Sequence, residues 1–184
     1  MADVLVPLAK GFEEIEAVTI IDVLRRAGIE VDVASVGDHA HVEGAHGMVL
    51  VSDADIKNVT TDVFDMVILP GGWGGTYALA EDEHVQRILK EMDAKGKLIG
   101  AICAAPYALN KAGVLKPNFT CYPSAEEQID QKGYQGDKNI VEEGNVITSR
   151  GPGTAMCFAL EIVKKLKGEE TYAQVKAGLL ADFC

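Results

Sequence analysis

A chain of 184 residues, 48% apolar and 24% charged, has the length of one globular domain over 1–184. It buries roughly 70% of its extended-chain surface, enough for a core without metal or disulfide staples. With 17 Lys and Arg against 28 Asp and Glu the formal charge is −11, the wrong balance for tracking phosphates, so neither nucleic acid nor an anionic membrane is an expected partner. Met1-Ala2-Asp3 runs straight into Val4–Ala9 with no basic leader and too few apolar residues for a signal or a span, which predicts a cytoplasmic location. Cys103, Cys121, Cys157 and Cys184 are widely spaced, with no C-x-x-C and no zinc spacing, which predicts free thiols and no metal.

Val4–Ala9 reads as a strand and Lys10–Phe12 as a turn. Glu14–Ala27 is helical, with Ile15, Val18, Ile21 and Val23-Leu24 on a broad apolar face and Gly28 as its stop. Ile29–Val36 alternates as a strand, 37–47 is polar, and Met48–Val51 is a short strand. Asp65–Leu69 is a strand ending in Pro70-Gly71-Gly72; Glu83–Ala94 is a helix; Lys97–Ile102 is an apolar strand that meets Cys103. Ala104–Ala112 is helical, Asn118–Cys121 and Val146–Ser149 are strand-like, and helices over Thr154–Leu166 and Glu170–Ala181 close the chain. The cluster Lys164, Lys165 and Lys167 falls at a helix end, where cations oppose the negative dipole pole. This alternation predicts an α/β fold with a mostly parallel sheet, helices on both faces, and ligands at the carboxyl ends of the strands.

Cys103 closes an apolar strand and opens Ala104-Ala105-Pro106, small residues followed by a proline suited to a first helical turn. A tight strand-to-helix turn presents its central side chain at the sheet edge, and a helix amino end favours thiolate. A small buried cysteine at a strand end fits the same residues equally well. Glu13, Glu14 and Glu16 crowd the start of the first helix. Dipole complementarity suits Glu13 and Glu14. Spacing alone favours a solvated Glu16; the alternative sets it nearer the apolar face, where burial would raise its pKa and let it donate to a thiolate. Pro70–Gly75 lacks a nucleotide-binding pattern; its amides suit an oxyanion, or it is simply a tight turn, with Trp73 as a loop anchor. All four histidines, His39, His41, His46 and His84, precede Cys103, so a dyad with a downstream histidine cannot be built. Cys157 reads as core packing and Cys184 as a mobile terminus.

Leu8-Ala9-Lys10-Gly11-Phe12-Glu13-Glu14-Ile15-Glu16, Val67-Ile68-Leu69-Pro70-Gly71-Gly72, Ala101-Ile102-Cys103-Ala104-Ala105-Pro106 and Thr148-Ser149-Arg150-Gly151-Pro152-Gly153-Thr154 occur in that order along the chain. Together they resemble the ThiJ/PfpI superfamily, in the branch of the parkinsonism-associated deglycase (DJ-one) and its bacterial relatives. The resemblance implies a flavodoxin-like three-layer sandwich, a homodimer and no cofactor. It makes Cys103 the reactive cysteine, Glu16 the acid that donates to it, and Gly72 and Ala104 the oxyanion amides. It places Gly71, His46, Arg150 and Pro152 around the substrate. The implied activities are glutathione-independent conversion of methylglyoxal to lactate and removal of early dicarbonyl adducts from proteins, with redox sensing or a chaperone role as the alternative. Tyr122 stands where some members have a histidine assigned to proton transfer. His46 stands where relatives tend to have an arginine that approaches the other subunit's cysteine. By that resemblance His46 would add a pH-dependent charge near the partner's Cys103; otherwise it is a solvated loop residue like His39 and His41.

Overall fold

The computed structural model describes residues 2–37 and 39–184; Met1, at the expected leaderless start, and Asp38, in the polar 37–47 segment, lie outside them. Seven strands form one sheet: β1 (Asp3–Leu8), β2 (Glu30–Ser35), β5 (Ala54–Asp55), β6 (Met66–Leu69), β7 (Leu98–Ile102), β10 (Ile140–Glu143) and β11 (Val146–Ser149). Their order is β10-β11-β7-β6-β1-β2-β5, and every pairing is parallel except β10 with β11. The short strands β3 (His41–Glu43) and β4 (Val49–Val51) make an antiparallel hairpin, and β8 (Asn118–Phe119) pairs with β9 (Gly133–Tyr134). Six helices complete the fold: α1 (Glu14–Arg26), α2 (Trp73–Glu81), α3 (Glu83–Ala94), α4 (Pro106–Ala112), α5 (Ala155–Lys167) and α6 (Glu169–Gly178).

Strand periodicity divides the core into two layers. Val4, Val6 and Leu8 of β1, with Met66 and Ile68 of β6, pack under α1 and α5. Leu5 and Ala9, with Val67 and Leu69, face Val85, Ile88, Leu89 and Met92 of α3 and Ala108 and Leu109 of α4. This is the expected flavodoxin-like sandwich. Four parallel neighbours, β11, β7, β6 and β1, bring Ser149, Ile102, Leu69 and Leu8 to one edge of the sheet, so the four motifs that follow them meet there.

Two expectations fail on the cysteines and on the glycine-rich segment. Cys157 and Cys184 are joined by a disulfide across 27 residues, so only Cys103 and Cys121 are free thiols. The pairing arises because α6 turns back along α5 and returns the chain end to the start of α5, a tertiary event that cysteine spacing does not encode. Cys157 is therefore not plain core packing and Cys184 is tethered. Gly72 is not simply a turn residue but the N-cap of α2, which begins at Trp73. The lysine cluster closes α5 as expected, with Lys164 on Glu169 at 2.8 Å and Lys165 on Glu142 at 2.7 Å. Among the described residues no helix is long and apolar enough to cross a membrane.

Candidate active site

Cys103 follows β7 in the left-handed region, at φ 64°, a conformation that costs a non-glycine residue energy and is kept only where the surroundings enforce it. Here both sides of its peptide are held. Its N–H donates to Ser149 O at 2.9 Å, and its carbonyl accepts from Tyr122 N–H at 2.8 Å. Ala105 N–H closes a turn on Ile102 O at 3.0 Å before Pro106 starts α4. The residue is 8% exposed.

Glu16 comes from the first turn of α1 and is fully buried. Glu13 caps that helix, its carboxylate accepting from Glu16 N–H at 2.8 Å. The Gly71 peptide is gripped from both directions. Its N–H donates to Glu16 Oε2 at 2.8 Å, and its carbonyl accepts from Glu13 N–H at 2.9 Å. A Cβ on Gly71 would lie 2.6 Å from Cys103 Cβ and 2.7 Å from Glu16 Oε2, so glycine is required by close approach. Gly72 is required by conformation as well, at φ 87°, where a side chain would strike the Gly11 carbonyl. These two glycines let β6 end directly between the acid and the thiol.

Burial pushes Glu16 up to about 7, against the lowering effects of the Gly71 amide and of Cys103. Its second oxygen, Oε1, is buried with no conventional hydrogen-bond partner among the described residues. The thiol of Cys103 is also raised, by burial first and then by the charge and hydrogen bond of Glu16; the amides of Gly72 and Ala104 act on the sulfur in the opposite direction. The expectation of a thiolate held by a helix amino end is thus corrected. Two residues separate Cys103 from Pro106, and α4 is only seven residues long. Thiol and acid titrate as a pair, since the Glu16 effects on sulfur vanish once Glu16 holds a proton.

The remaining expected residues lie to either side. Arg150 and Pro152 line a shallow depression of about 270 Å³ with Tyr122, Asn139 and Thr154, whose lining does not include Cys103. Gly151 leaves room there for the Tyr122 ring, which a Cβ would approach to 3.2 Å. Larger hollows of about 690 and 640 Å³ lie at the opposite end of the strands and between α1 and α6. His46 is three-quarters exposed and bonded to Glu14: its N–H donates to Oε1 at 2.5 Å, and Nδ1 lies 2.9 Å from Oε2. Glu14 raises the His46 pKa, so the protonated form is favoured. In return His46 holds Glu14 below the usual carboxylate range, although burial alone would raise it. Within the protomer His46 is neither at Cys103 nor a free loop histidine; it fastens the β3–β4 hairpin to α1. Glu14 was the residue misread from sequence, because its neighbours Glu13 and Glu16 make a dipole cluster that hides a buried ion-pair partner. Cys121 is the second free thiol, as expected. It is fully buried beside the site, its thiol pushed up to about 12 by burial and then by Glu126.

A cysteine at a strained strand-to-helix elbow, facing a buried acid from the neighbouring layer, sets this chain among α/β proteins with an elbow at the carboxyl edge of the sheet. The model of the DJ-1/PfpI family matches residues 2–165, and the chain belongs to that family. It is 44% identical over 181 residues to "Protein dj-1beta" of Drosophila melanogaster, covering 97% of both chains, and the crystal structure of that protein superposes with a TM-score of 0.94. A Caenorhabditis elegans protein named "Glutathione-independent glyoxalase DJR-1.2" is 41% identical over 159 residues, 86% of this chain and 84% of that one. The structure titled "Toxoplasma gondii DJ-1, oxidized" is 37% identical, with 98% of each chain covered and a TM-score of 0.93.

Proposed function

We propose that this chain is a cysteine-dependent enzyme acting on reactive dicarbonyls or their protein adducts, of the glyoxalase or deglycase type. The observation that carries the reading is the Cys103–Glu16 pair, with the acid balanced near neutrality and two amides acting on the sulfur. A group whose pKa lies near the working pH is the best placed to give and take protons. The Cys103 proton passes to Glu16 as the sulfur adds to the aldehyde carbon of methylglyoxal, and the amides of Gly72 and Ala104 stabilise the resulting oxyanion. Glu16 returns its proton to that oxyanion and, as a carboxylate again, carries the proton of the former aldehyde carbon to its neighbour, while the hydroxyl proton passes to the ketone oxygen, which turns the hemithioacetal into a lactoyl thioester. Water releases lactate and restores the thiol, so one water is consumed and no oxidant is needed. The worm relative's printed name supports the substrate class.

In this reading Arg150 and Pro152 would contact the substrate's far end, with Tyr122 taking no proton-transfer role. We propose further that a second copy covers the apolar residues Ile15 and Val18 of α1 and Met48, Val49 and Val51 of the neighbouring hairpin, all at least 39% exposed. Lactate formation from methylglyoxal by the purified protein tests the activity. Cys103→Ser is expected to lose at least about a hundredfold in turnover. Wild-type turnover in that variant ends the mechanism.

A further inference from the structure

We propose that Cys157–Cys184 is a reversible redox clasp that pins the C-terminal tail to α5, independently of the chemistry at Cys103. The clasp joins the first turn of α5 to the last residue of the chain. Between them, α6 has no fully buried side chain. Tyr172, Val175 and Leu179 only lean on the core, and in the tail beyond α6 Ala181 alone is fully buried. Leu180 takes φ 54° and is 81% exposed, and Phe183 is 73% exposed. The backbone bonds of the tail are local: Leu180 N–H to Ala177 O, Ala181 N–H to Lys176 O, and Cys184 N–H to Ala181 O, each at 3.1 Å. Leu179 still bonds Val175 O through its N–H at 3.0 Å; past it, one fully buried methyl group and three local bonds hold residues 180–184 weakly, so the sulfur bond supplies most of their anchorage.

Burial separates the two pairs of cysteines. Cys103 and Cys121 are buried thiols with raised pKa values, whereas Cys157 and Cys184 are half-buried residues nearer the solvent. The exchange partner is a low-molecular-weight disulfide or dithiol. The thiolate of one clasp cysteine attacks a small disulfide and expels one small thiol; the other clasp cysteine then attacks the mixed disulfide and expels the second. Two protein thiols and one small disulfide thus become one protein disulfide and two small thiols, and a dithiol runs the change backwards. In the reduced state the tail beyond Leu179 opens; in the oxidised state it is locked.

The test is amide hydrogen exchange on the full-length protein, equilibrated with glutathione disulfide or with dithiothreitol. Peptide mapping of the oxidised sample is expected to find Cys157 linked to Cys184. On reduction the amides of Leu180, Ala181 and Cys184 are expected to exchange about tenfold faster or more, while those of β6 and β7 stay unchanged. Cys184→Ser, at the chain end and away from the core, is expected to show the fast tail in both conditions. Cys103→Ser is expected to keep the full redox response, which separates this outcome from any failure of the proposed dicarbonyl activity. The absence of the Cys157–Cys184 linkage in the oxidised sample, or tail exchange indifferent to redox state in the wild type, overturns the proposal.

Discussion

Glu16 carries a stability cost that a residue chosen for packing alone would not. Its pKa rises from 4.5 to about 7 on folding, because burial disfavours the carboxylate. A raised folded-state pKa means the acid contributes fully below about 4.5, that this contribution is lost as pH climbs through about 7, and that the penalty is constant above. The span corresponds to roughly 3 kcal/mol at about 1.4 kcal/mol per pKa unit. Cys103 adds backbone strain at φ 64° of about 1–3 kcal/mol. Strain and burial at one site are the mark of residues kept for reactivity. Glu16→Gln removes the buried charge while a side-chain oxygen still accepts from Gly71. Thermal unfolding at pH 5 and pH 8 is expected to show a wild type that loses Tm at the higher pH. The variant should be flatter with pH and the more stable of the two at pH 8. A variant that melts below the wild type at pH 8 would contradict a charged, buried Glu16.

At the scale of elements, strong periodicity made α1, α3, β1 and β7 legible, and α3 spans Glu83–Ala94 as its apolar face predicts. Elements whose residues answer to tertiary demands were not legible. Gly74 and Gly75 argue against a helix by propensity, yet α2 needs Gly75 because a Cβ there would approach the Phe12 backbone to 3.0 Å. β3 hides in a polar stretch because only Val42 of its three residues is buried. The helix expected from Ala104 starts at Pro106, since Cys103–Ala105 are spent on the elbow, and the last helix stops at Gly178 rather than Ala181. Of the site, Cys103, Glu16 and the two glycines were legible as motifs, whereas the Glu14–His46 tie depends on a hairpin returning to α1 and has no local signature. Val49 and Val51, 54% and 63% exposed, lie on the hairpin that this tie fastens to α1. If this face meets a second copy, Val51→Glu is expected to sediment as a monomer with unchanged circular dichroism while the wild type sediments as a dimer. A monomeric wild type would refute the proposed interface.

Across the whole molecule, the sheet order explains why residues from four distant parts of the chain cooperate. β11, β7, β6 and β1 are neighbours, so Ser149 holds the Cys103 peptide, Gly71 lies against the thiol, and the turn after β1 leads into the helix that carries Glu16. The acidic surface, at a formal −11, does nothing to gather anionic ligands. The disulfide lies on α5 in the α1-side layer and closes the chain end rather than the site.

The central claim is that Cys103 and Glu16 work as one ionising unit. It is tested most directly by the pH profile of kcat/KM for lactate formation, measured beside the pH profile of Cys103 alkylation. Wild-type protein is expected to rise through a single apparent pKa near 7 in both profiles, since the first proton to leave belongs to the pair. In Glu16→Gln that limb is expected to vanish from both, with turnover reduced by about a hundredfold or more. Superimposable wild-type and Glu16→Gln profiles would contradict the account.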